Sequence, residues 1–185
     1  MESAVSNDAI PPLDTLGPRI LVCGPSASGK SRLAAAIGAA RGLPVVHLDQ
    51  LRFIPGSNWV ERPDADFAAD IIAATTGERW VIEGNYFRWI EPRLARATGL
   101  VSISGWRLAN YGRYLRRCLL ETSRTGTLAG APDRVNWKMT RWILRDEPRR
   151  RGPKIARLRA SGLPLAEPRS MAELKELYAA WNLTL

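Results

Sequence analysis

The chain has 185 residues, 45% hydrophobic and 24% charged, which suits one domain with a real core and excludes disorder over the whole length. Its net charge of +9 is unevenly placed: residues 1–100 carry 10 Lys+Arg against 11 Asp+Glu, and residues 101–185 carry 17 against 7. A basic second half of this kind attracts polyanions, either nucleotide phosphates or nucleic acid.

Residues 1–17 lack periodicity and are expected as a loose tail, followed by a single domain over 18–185. The tail carries Glu2, Asp8 and Asp14 and no basic stretch leading into an apolar run, so no secretory signal is expected. No apolar stretch approaches the roughly 20 residues of a membrane helix, and the expected location is the cytoplasm. Cys23 and Cys118 stand far apart in apolar runs without ligand-like neighbours. Both are read as packing residues of a reducing compartment.

RILVC, Arg19 to Cys23, predicts a buried strand, and KSRLAAAIGAA from Lys30 a helix. Between them lies GPSASGKS, Gly24–Pro25–Ser26–Ala27–Ser28–Gly29–Lys30–Ser31, in the strand, glycine loop, helix context that the GxxxxGK[ST] pattern requires. Glycines let the backbone approach phosphate, and the amides from Ala27 to Ser31 and the helix N-terminus supply positive potential. Lys30 is expected to bridge the β- and γ-phosphates of ATP, and Ser31 to ligate Mg²⁺. A second GxGxxG glycine is missing, which disfavours a dinucleotide.

The elements then alternate. Strands are predicted at 45–48, 80–83, 100–103 and 163–166, with helices at 64–76, 106–124 and 171–181. A long basic helical region spans Asn136 to about Ser161, with an interruption at Pro148 or Pro153. This alternation means an α/β fold, a P-loop NTPase with a five-stranded parallel sheet and helices on both faces. The arginine-bearing helices around TGTLAGAPDR form a candidate basic helical lid over about 107–159. Its candidate catalytic arginines are Arg113, Arg117, Arg141 and Arg145, placed to meet the transferring phosphoryl. Arg149, Arg150 and Arg151 read as surface charge or a polyanion contact.

No NKxD base-reading motif occurs and no DxxG follows the P-loop, so a GTPase switch is disfavoured and a small kinase remains. Two acids end hydrophobic strands at the edge where open α/β sheets bind ligands: Asp49 and Glu83. Glu83 is the candidate metal residue with Ser31; Asp49 is the candidate base toward an acceptor hydroxyl. Trp59, Arg62 and Asn85 are further acceptor-binding candidates. His47, the single histidine, reads as a packing residue.

PVVHLDQLRF, NWVERPDADF, RWVIEGNYFRWIEPRLARA and DRVNWKMTRWILRDEPRRRGPKI together resemble the adenylate-kinase-related P-loop kinases called DNA topology modulation proteins, from about Arg19 to Trp181. The resemblance implies a nucleoside-monophosphate-kinase-like core that binds ATP with Mg²⁺. It does not carry AMP as acceptor, because Glu83-Gly84-Asn85-Tyr86 stands where adenylate kinases have Asp-Gly followed by Pro-Arg. The expected function is transfer of the ATP γ-phosphate to a small acceptor of a nucleotide-like kind. The alternative is an ATP-binding regulator that contacts DNA without kinase activity.

Overall fold

The structure is a computed structural model and describes residues 10–57, 59–120, 135 and 137–184. Five strands, β1 Arg19–Cys23, β2 Val45–His47, β3 Trp80–Glu83, β4 Gly99–Ser102 and β5 Leu165–Ala166, form one sheet in the order β2-β3-β1-β4-β5. Every pairing is parallel. The helices are α1 Lys30–Arg41, α2 Leu48–Arg52, α3 Asp64–Thr75, α4 Glu91–Arg96, α5 Arg107–Leu120, α6 Trp137–Arg141, α7 Glu147–Ala160 and α8 Met171–Ala180.

The apolar run of β1 alternates between two cores. Ile20 and Val22 pack with Leu33 and Ile37 of α1 and Leu174 and Leu177 of α8. Leu21 and Cys23 pack on the other face with Phe67 and Ile71 of α3 and Leu158 of α7. The sheet is thus covered on both faces, which is why its central strands need no polar alternation. After β1 the chain moves to one side for β2 and β3, then crosses to the other for β4. The direction reverses at β1, so the carboxyl end of β1 opens onto the crevice where such sheets take ligands.

Three details differ from the expectation. Residues 10–17, expected as loose tail, are packed: a 3-10 turn at Leu13–Leu16 puts Leu16 fully out of solvent, and Trp181 donates its indole N–H to the Pro11 carbonyl at 2.8 Å. Leu48 opens a short helix instead of ending β2. The long basic helix is interrupted at neither proline: a widened π-turn over Trp142–Asp146 joins α6 to α7 just ahead of Pro148, and Pro153 lies inside α7. A proline lacks the N–H and crowds the carbonyl four residues back, and a π-turn relieves both at once. The loop expected from Thr125 to Arg134 lies outside the described residues.

Candidate functional site

The P-loop has the backbone its glycines were read to allow. Gly29 caps α1 in the left-handed region, φ 95°, and Ala27 shares that region at φ 59°. At Gly24 a Cβ would meet Ser28 Oγ at 2.9 Å and the Ile103 carbonyl at 3.0 Å, so only glycine passes between the two. The Ser28 hydroxyl is buried and has no hydrogen-bond partner among the described residues.

Glu83 lies beside this loop because β3 pairs with β1 in the register Val22 to Glu83. The β2–β3 register sets His47 against Glu83. His47 Nδ1 lies 2.8 Å from Glu83 Oε1, and the Ser31 hydroxyl donates to the same oxygen at 2.9 Å. His47, read as a packing residue, thus finds its polar partner in the candidate metal carboxylate. Burial pushes the Glu83 carboxyl up, but the His47 hydrogen bond, the nearby charges of Lys30 and His47 and the Ser31 hydroxyl outweigh it, so the group stays ionised below the usual glutamate range. Its second oxygen, Oε2, is buried and has no hydrogen-bond partner among the described residues. A buried, ionised carboxylate oxygen with no donor is expensive unless a cation meets it.

Asp49 occupies the first turn of α2 and accepts a hydrogen bond from the Tyr86 hydroxyl at 2.6 Å. Burial first, and then the charge of Asp49, pushes the Tyr86 phenol well above its ordinary value, so the phenol remains the donor. Asn85, expected toward the acceptor, has its Oδ1 on the P-loop, accepting from the Gly24 amide at 3.1 Å. Arg62 pairs with Asp70 and donates to the Leu51 carbonyl. Trp59 stacks edge-on to Phe53 at 5.1 Å between ring centres, with φ 59°. Neither side chain is brought to the P-loop by these contacts.

Of the lid arginines whose side chains are described, Arg113 is seated at the loop, its Nε donating to the Ala27 carbonyl at 2.8 Å. Arg141 lies 3.6 Å from Asp146, and Arg145 is exposed. The side chain of Arg117 lies outside the described residues.

Three residues went unseen in the sequence. Arg93 of α4 is fully buried and donates to the carbonyls of Gly84, Asn85, Tyr86 and Trp89 at 2.8–3.1 Å. It thereby holds the turn that carries both Asn85 and Tyr86. Glu147 and Lys154 of α7 line, with Arg151, a cleft against Cys23, Gly24, Pro25, Asn85 and Phe87. Arg151, read as surface charge or a polyanion contact, turns inward, and both terminal nitrogens donate N–H to the Gly105 carbonyl at 3.2 Å. The i, i+4 and i, i+7 spacing of Glu147, Arg151 and Lys154 was the available signal. Among the described residues no group of three or more His, Cys, Asp or Glu could hold a metal by itself, and no helix is long and apolar enough to cross a membrane.

No family model matches the chain, and no curated protein matches it. The structure is similar to the crystal structure of a gluconokinase from Sinorhizobium meliloti 1021, with a TM-score of 0.53, 17% sequence identity, and coverage of 90% of this chain and 91% of that one. At this identity the likeness shows the fold alone: an α/β architecture with helices around an all-parallel five-stranded sheet.

Proposed function

We propose that the protein is an ATP-dependent kinase for a small acceptor. The observation that carries this is the buried, unpartnered Glu83 Oε2 on a carboxylate already tied to Ser31 and felt by Lys30. A GK[ST] loop alone would serve any nucleotide-driven function. A cation-seeking carboxylate beside its serine suits the metal-assisted use of a bound triphosphate.

In this reading the amides of the P-loop and Lys30 hold the β- and γ-phosphates. Ser31 and Glu83 would hold Mg²⁺ or its waters, with His47 fixing the carboxylate through its Oε1. Bound there, the metal would offset charge on the phosphoryl being transferred. Asp49, oriented by Tyr86, takes the proton of the acceptor hydroxyl as its oxygen bonds to the γ-phosphorus and the bond to the β-bridging oxygen breaks, leaving ADP. Arg113, at the Ala27 carbonyl, is the lid arginine best seated to steady phosphate. The gluconokinase likeness adds hydroxylated acids to nucleotide-like molecules as acceptors to try.

The DNA-contacting alternative draws on the basic second half, yet Arg157 and Arg159 are engaged by Glu91 and Glu167 and Arg151 turns into the cleft. The test is calorimetry of ATP–Mg²⁺ with wild type and Lys30→Ala, followed by a screen of sugars, sugar acids, nucleosides and nucleotides for acceptor-stimulated ADP release. Loss of binding in the variant and release with at least one acceptor class are expected. Equal ATP binding by the two proteins refutes the site. Silence across the panel with tight duplex binding that persists in salt would favour the DNA reading over the kinase.

A further inference from the structure

Lys154 is a half-buried cation with an unusual set of neighbours. Its ammonium stands over the rings of Phe87, 5.3 Å away, and Trp142, 5.6 Å away. Among the described residues it has neither a hydrogen bond nor an ion pair. Ring faces attract a cation, but they do not replace the hydrogen bonds that an ammonium loses on leaving water. Arg151, one turn earlier on α7, gives one N–H from each terminal nitrogen to Gly105 and keeps the rest of its five donors. Glu147, the third group on this face, is the carboxylate of the cleft. Its burial raises it against the pull of Arg151, Lys154 and Lys30, and it forms no ion pair with any of them within the described residues.

Three charged side chains therefore converge on one cleft without closing on each other. The cleft also has a defined position. It is walled by Gly24 and Pro25, at the start of the P-loop, whereas Ser31 and Glu83 take no part in it. Lys30 is near enough for its charge to act on Glu147. The same lysine acts by its charge on Glu83, so an anion bound here would share Lys30 with the candidate metal site.

We propose that this cleft holds the oxyanion of the acceptor, with Lys154 and Arg151 as its cationic partners and Glu147 accepting from a neighbouring hydroxyl. The acceptor is then a small hydroxylated anion, and neutral alcohols or nucleosides are poor acceptors because they leave Lys154 unpaired. This rests on the kinase reading for the word acceptor, but the anion site itself does not depend on it. A carboxylate and a phosphate offer the same chemistry to an ammonium and a guanidinium, and experiment separates them.

The experiment has a binding arm and a turnover arm, both on the full chain with Lys154→Gln, Lys154→Met and Arg151→Gln. Thermal unfolding first establishes that each variant folds. In the binding arm, D-gluconate and inorganic phosphate are titrated by calorimetry into protein saturated with ADP–Mg²⁺, with D-glucose as the neutral control. At least one of the anions should bind wild type, glucose should not, and loss of Lys154 should weaken the anion about ten- to a hundred-fold, as for a hydrogen bond to a charged group. Preference for gluconate or for phosphate identifies which oxyanion the cleft takes. In the turnover arm, gluconate against glucose and AMP against adenosine are compared for ADP release, and Lys154→Gln should raise KM for the anionic acceptor far more than it lowers kcat. If neither anion binds, or binding is unchanged in both Lys154 variants, the proposal is wrong. If neutral members are phosphorylated as well as anionic ones, the proposal falls and the kinase reading stands. If anions bind through Lys154 while nothing is phosphorylated, the kinase reading falls and the anion site stands.

Discussion

Replacing Arg93 by methionine removes a cation with no exposure to solvent and its bonds to four carbonyls. The Gly84 carbonyl is buried and among the described residues receives besides only a long Cys23 thiol contact of 3.8 Å, so losing its donor costs about 1–3 kcal/mol. The Asn85, Tyr86 and Trp89 carbonyls are partly buried, and water recovers part of each, leaving about 0.5–1 kcal/mol apiece. Against this, the variant no longer buries a charge, whose dehydration already pulls the guanidinium below its ordinary value. The net destabilisation is about 2–4 kcal/mol, or roughly 5–15 °C in Tm for a domain of this size. Function should fall as well, because the turn held by Arg93 carries Asn85 to the Gly24 amide and Tyr86 to Asp49. Urea unfolding gives the first quantity, and calorimetry of ATP–Mg²⁺ under fully folded conditions gives the second. Arg93→Lys, with a single compact ammonium in place of a fork, should recover only part of the loss. Arg93→Met within about 1 kcal/mol of wild type, with unchanged nucleotide affinity, would refute the idea that this arginine organises the turn.

The two acids should separate by role. Glu83→Gln should raise the Mg²⁺ concentration needed for ATP binding, whereas Asp49→Asn should leave ATP affinity intact and slow transfer on the order of 10²-fold or more. A metal defect in Asp49→Asn alone would reverse the assignment. Glu83 is held ionised below its ordinary range, so the stability it contributes is present above the unfolded glutamate value and is lost as pH falls through the folded one. An acid titration of unfolding free energy should therefore fall more steeply for wild type than for Glu83→Gln. Glu147 is raised, so its contribution runs the other way, present at low pH and lost as pH rises. Glu147→Gln should be more stable than wild type at neutral pH in the same assay. Gly99→Ala should destabilise by about 1–3 kcal/mol, because its Cβ would meet the Leu16 carbonyl at 2.4 Å; no change in the urea midpoint would show that residues 10–17 do not pack as described.

The parts of this protein legible in one dimension are those whose cause is local. The P-loop could be read because its glycines, lysine and serine stand in one octapeptide between an apolar strand and a helix. The parallel sheet could be read because buried strands are short apolar runs separated by helical stretches. Tertiary structure decided what crosses between elements. His47 became the partner of Glu83 through the β2–β3 register, and a slip of one residue would have sent it to the other face. Asn85 met Gly24 through contacts 61 residues apart in sequence. Arg93 carried no signal in the sequence, where no helix is predicted over 91–96, and only the packing of α4 turns it inward against the turn after β3. Arg151 lay in a run read as surface charge or a polyanion contact, and only the packing of α7 against β1 fixed which of its faces meets the P-loop. Helical periodicity says which residues share a face, but the direction of that face is set by the partner that buries it.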